Sequence, residues 1–98
     1  MDNSLDQRQL KQMKLLIERL QSRRIAVSKF VTDQWALIEQ LKNVDSAWMD
    51  EYNNHVNTIE DLYAAYADQG NSKMPEADTQ TLEATLKTMV QSLDSILS

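Results

Sequence analysis

A single histidine carries most of the catalytic chemistry the chain has to offer. His55 follows Glu51 by four residues and precedes Ile59 by four. On a helix that spacing sets imidazole beside carboxylate, the arrangement of a general base and the acid that orients it. A nucleophile would have to complete the set. Cysteine is absent, and no Gly-x-Ser-x-Gly elbow presents a serine. One glycine cannot build a phosphate-cradling loop. One imidazole and one carboxylate are too few ligands for a metal. The expectation is a protein that is not an enzyme, with no catalytic residue, metal or cofactor. His55 falls beside an apolar stripe, where an imidazole is ordinarily packed and hydrogen-bonded.

Carboxylates are the other chemistry in view. DEYNNHVNTIEDLYAAYAD, Asp50 to Asp68, holds five acids and neither Lys nor Arg. At 100° per residue Trp48, Tyr52, Val56, Ile59, Tyr63 and Tyr66 fall along one side. Asp50, Asn54, Asn57, Asp61, Ala64 and Asp68 fall opposite, with Glu60 flanking. Exposed helix faces usually mix Glu with Lys, because opposite charges at i, i+4 add a few tenths of a kcal/mol each. Here no cation is available on the segment, and Asp and Asn are mediocre helix formers. Such a face is either merely solvated, with cations lent by other helices, or made for an electropositive partner. The second alternative nominates Asp50, Asn54, Asn57, Glu60, Asp61, Tyr63 and Asp68 as partner-binding residues. Of the aromatics, only rims and hydroxyls are assigned to the interface.

Arg23-Arg24, with Arg19 and Lys29 nearby, could bind phosphate. The simpler account places them at a helix end, where cations meet the negative pole of the helix dipole.

These residues need four helices to position them. The first runs from about Leu5 to Gln21, where Leu10, Met13, Leu16, Ile17 and Leu20 recur at three- and four-residue spacing. Ser22 to Ala26 breaks the phase and reads as a tight connection. A second helix is expected from about Val27 to Lys42, its stripe being Val27, Phe30, Val31, Gln34, Leu37/Ile38 and Leu41. Asp45 or Ser46 can cap a third, from about Ala47 to Gln69. Asp50 and Glu51 near its start suit the dipole's positive pole. The one loop-like stretch is GNSKMPEA, Gly70 to Ala77. A fourth helix starts at Asp78 or Thr79 and runs to about Ile96, with Leu82, Leu86, Met89, Val90, Leu93 and Ile96 as its core face. Each stripe must be buried against another, so the expected fold is all-α, an antiparallel four-helix bundle.

Ninety-eight residues make one domain, 1–98, with one Gly and one Pro. The first residues, MDNSLDQRQLKQMK, lack the layout of a secretion signal, and no apolar run approaches a membrane span. The lack of cysteine suits a cytoplasmic location. Charge is divided unevenly. Residues 1–42 hold eight of the ten Lys and Arg and five of the fifteen acids, while residues 43–98 hold two bases and ten acids. The acidic half repels nucleic acid and attracts a basic protein surface.

LIERLQSRRIAVSKFVTDQWALI resembles the opening of the bacterial self-protective immunity family, which includes the colicin D immunity protein and some contact-dependent growth inhibition immunity proteins. That family tends to show a short helix, a small connector, then an Ile with a Phe five residues on. Here these are Ser22-Arg23-Arg24, Ile25 and Phe30. Tyr66-Ala67-Asp68 matches the Tyr-Ala-Asp-like end of the family's aromatic helix. The chain departs at Arg23-Arg24, where small or acidic residues are commoner, and at Ala26, where a capping Ser or Thr is expected. The resemblance implies an immunity protein that binds a toxin nuclease domain, typically one that cuts tRNA. It further implies that Asp50, Asn57, Glu60, Asp61 and Asp68 occupy sites meant for RNA phosphates.

The expected partner is therefore a cognate, basic nuclease domain, with no nucleic acid and no membrane bound directly, and a monomer or weak dimer when free. The alternative is a non-enzymatic helical-bundle adaptor, dimerising scaffold or secretion chaperone. It is motivated by the long apolar stripes and five Met, which suit adaptable contact surfaces.

Overall fold

The computed structural model describes residues 4–68 and 75–97, which form four helices: α1 (Ser4–Gln21), α2 (Val27–Glu39), α3 (Ser46–Asp68) and α4 (Glu76–Leu97). There is no strand among the described residues. The helices close a ring. α1 packs on α2 and α4, and α3 packs on α2 and α4, so α1 and α3 lie across the diagonal from one another. The bundle measures 48 × 24 × 20 Å.

The stripes meet inside as their phase requires. Leu10, Met13, Leu16, Ile17 and Leu20 of α1 face Phe30, Val31 and Ile38 of α2, Tyr52, Val56 and Ile59 of α3, and Leu86, Met89 and Leu93 of α4. The buried Met13 and Met89, with half-buried Met49, serve the core. Among the described residues the methionines do not furnish an adaptable outer surface.

Two boundaries differ from those the sequence suggests. α2 ends at Glu39, three residues before Lys42. Its last turn tightens: the Gln40 N–H donates to Leu37 O and the Leu41 N–H to Ile38 O, both at 3.1 Å. The next two N–H groups are then captured by another helix. Lys42 N donates to Asp6 Oδ1 at 3.2 Å, and Asn43 N to Asp6 Oδ2 at 2.7 Å. Asp6 is a buried carboxylate in phase with Leu10, Met13 and Ile17 on α1. It ends α2 by satisfying donors that have no partner within the helix. α4 starts earlier than Asp78, at Glu76. Pro75 stands just before it, where a fixed φ suits a helix entry and a missing N–H costs nothing. Glu76 and Asp78 sit in the first turn, toward the positive dipole pole.

The α1–α2 connection is a Schellman motif. Arg24 N donates to Arg19 O at 2.8 Å and Arg23 N to Leu20 O at 3.0 Å. Arg23 takes the left-handed conformation, φ 60°, where glycine is usual. α2 begins at Ala26 with no side-chain cap.

Buried polar atoms tie three helices together. Gln34 of α2 is wholly buried; its Nε2 donates to Met13 O of α1 at 2.9 Å. Tyr52 of α3 donates its hydroxyl proton to Gln34 Oε1 at 2.8 Å.

Candidate protein-docking face

The orientation of α3 is set from its first turn. The Trp48 N–H donates to Asp45 Oδ2 at 3.1 Å, so Asp45 rather than Ser46 is the cap. Asp50 and Glu51 lie beyond the first turn, which contains no acid; the negative charge at the dipole's positive pole is that of Asp45. Trp48 stacks on Tyr52, with ring centroids 5.0 Å apart and planes 13° from parallel. The Trp48 indole N–H donates to Ser92 O of α4 at 3.1 Å. With Tyr52, Val56 and Ile59 fully buried, the helix cannot turn about its axis without breaking these contacts.

The rest of α3 then has one place to go. Asp50, Asn54, Asn57, Glu60 and Asp61 are all exposed. Tyr63 is not grouped with them; it is half-buried, four residues past Ile59 on the inward side. The side chain of Asp68 lies outside the described residues, as does that of Tyr66. Two of the aromatic polar groups expected at the rim are used inside the bundle. The Tyr52 hydroxyl is inside the core, and the Trp48 N–H is spent on α4.

Two of the cations that would neutralise this face are engaged elsewhere. On α2, Lys29 pairs with its own Asp33 at 3.2 Å. On α1, Lys14 pairs with Asp94 of α4 at 2.6 Å, and the hydrogen bond to that carboxylate raises the Lys14 pKa. The remaining α1 bases are on the far side of the diagonal. Among the described residues Asp50, Glu60 and Asp61 have no ion-pair partner. Glu51 Oε1 stands 4.0 Å from His55 Nε2, beyond hydrogen-bond reach.

His55 is packed as expected but not hydrogen-bonded as expected. Its Nε2 is shielded from solvent without a hydrogen-bond partner, as is Asn53 Oδ1. No group of three or more His, Cys, Asp or Glu among the described residues could hold a metal. A small cavity of about 50 Å³ opens at the bundle end, lined by Asp6, Gln7, Leu10, Asn43, Val44 and Ile96. It has room for only a water or two. No helix among the described residues is long and apolar enough to cross a membrane.

Sequence patterning therefore locates the outward face, because exposure follows helical phase. It misses Asp6, although an acid in step with Leu10, Met13 and Ile17 is the trace such a residue leaves. Comparison with family models, curated proteins and solved structures gives no match to this chain.

Proposed function

We propose that this chain is an immunity protein that neutralises a cognate nuclease toxin domain in the cytoplasm. It lays the outer face of α3 into the toxin's basic active-site cleft. One observation carries the reading: Asp50, Glu60 and Asp61 are exposed together on a rigidly held helix, and among the described residues none of them has an ion-pair partner. Uncompensated carboxylates on a fixed frame attract Lys and Arg without having to break existing pairs. In a cleft shaped for RNA they would stand where phosphates otherwise sit, with Asn54 and Asn57 adding neutral hydrogen-bonding groups. The resemblance of residues 16–41 and of Tyr66-Ala67-Asp68 to the self-protective immunity family supplies the nature of the partner, of the tRNA-cutting kind.

The test is Asp50→Lys with Asp61→Lys, assayed for binding to, and growth protection against, tRNA-cutting toxin nuclease domains. Affinity should fall by roughly 100-fold or more, which is about 3 kcal/mol, and growth protection should be lost. Both sites are exposed, so helicity and thermal midpoint should stay near the parent's. A double variant that protects cells as well as the parent removes α3 as the inhibitory face.

A further inference from the structure

The outward side of α1 is the charge complement of α3. Arg8, Lys11, Leu15 and Arg19 recur at intervals of three, four and four residues, which places them on one stripe. All four are exposed, and Leu15, at 38%, is the exposed large apolar residue among those described. Arg8, Lys11 and Arg19 have no ion-pair partner among the described residues. Across the diagonal, α3 presents carboxylates with the same lack. Beside Asp61, one turn further on, Ala64 and Ala65 are also exposed. The two faces point in opposite directions, so one molecule cannot join them. Two molecules can.

We infer that the α1 stripe docks on the α3 face of a second copy, head to tail. Lys11 precedes Leu15 by four residues, as Asp61 precedes Ala65 by four. Laid parallel in that register, the helices set Lys11 against Asp61 while Leu15 covers the small side chains of Ala64 and Ala65. Such a contact is heterologous: each copy keeps one stripe and one face free, so association is open-ended and does not stop at a symmetric pair. The copies also repel at long range, each carrying a net −5. Association is thus weak and strongest at intermediate salt, where the repulsion is screened over ~10 Å while the paired charges remain in contact. The inference rests on the charge layout alone and not on the identity of a toxin. A basic partner on α3 would compete with it.

Sedimentation of the full chain tests the arrangement. At about 0.1 M salt the weight-average mass should rise with concentration past that of a dimer, and at about 1 M salt it should fall to the monomer. Two neutralised variants, Arg8→Gln/Lys11→Gln/Arg19→Gln and Asp50→Asn/Glu60→Gln/Asp61→Asn, should each stay monomeric while keeping the parent's circular dichroism. Mixed in equal amounts they retain one good stripe and one good face, and should associate as a heterodimer and no further. Leu15→Ser should weaken assembly at every salt concentration. A chain that is monomeric throughout, a dimer that resists salt, or a mixture that fails to pair overturns the inference.

Discussion

The Tyr52 hydroxyl donates to Gln34 Oε1 at 2.8 Å in the middle of the bundle, and the amide of the same Gln34 donates to the Met13 carbonyl at 2.9 Å. One glutamine thus fixes the rotation of α2 against both of the helices that lie across the diagonal. Such a link contributes little net stability, because it replaces bonds to water, but losing half of it strands a buried polar atom. Tyr52→Phe should therefore cost about 1–2 kcal/mol, and Gln34→Leu about 1–3 kcal/mol. Removing both should cost less than the sum, by at least ~0.5 kcal/mol. Urea unfolding of the two single variants and the double variant gives the coupling. Strict additivity would show that the bond holds nothing.

Burial raises the pKa of Tyr52 well above its ordinary value. The phenol thus stays protonated in the folded chain at a pH where it ionises in the unfolded one. Its contribution is fully present below about pH 10, the unfolded value, and is lost as pH rises further. Unfolding free energy should drop above that point by up to about 1.4 kcal/mol per pH unit from this group. Tyr52→Phe should flatten that alkaline slope by one proton's worth. Equal slopes in the two proteins would show that Tyr52 is not the group responsible.

Asp6 ends α2 from a distance of 36 residues, and its removal should be felt there rather than on α1. Asp6→Ala leaves two partly buried amides without their acceptor and should cost about 2 kcal/mol. Hydrogen exchange at Lys42 and Asn43 should accelerate more than at α1 amides. Asp6→Asn keeps one acceptor oxygen and should lie between. Unchanged exchange at both amides would show that the carboxylate does not hold this connection.

The α1–α2 connection leaves stability unclaimed. Arg23 holds a left-handed backbone with a Cβ in the way, so Arg23→Gly should gain about 0.5–1 kcal/mol. Ala26 begins α2 with no side-chain acceptor, and Ala26→Ser should gain about 0.5–1 kcal/mol. Thermal melts would register each as a rise of a few degrees for a chain of this size. A fall in either would mean that the arginine or the alanine makes a contact worth more than its backbone costs.

Local rules carried most of the fold. The Leu10 to Leu20 and Leu82 to Ile96 stripes fix α1 and α4 because burial follows a 3.6-residue phase, and that phase also turns Asp50, Asn54 and Asp61 outward. What was illegible depends on partners remote in sequence. Lys42 looks helical until Asp6 claims its N–H. Gln34 can be placed on the core stripe of α2, but not assigned Met13 and Tyr52 as its partners. Tyr52 and Trp48 read as candidates for an outer rim because an aromatic stripe does not reveal which polar atoms are spent inside. The pairing of Lys14 with Asp94, which removes a cation from circulation, spans 80 residues and leaves no local trace.

That span also sets a sequence of events for folding. Three of the four helix interfaces in the ring join neighbours along the chain, and α1 against α4 alone brings its two ends together. Loop closure entropy grows with the length closed, so early structure favours the short connections and the ring seals late. The seam between first and last helix is then scarcely formed at the folding barrier. Asp94→Asn, which weakens it, should speed unfolding and leave refolding nearly unchanged in stopped-flow experiments. Slower refolding would place the seam in the nucleus instead. On that order the bundle should open first at the seam between α1 and α4, and the interior that Tyr52 and Gln34 hold should be the last part to come undone.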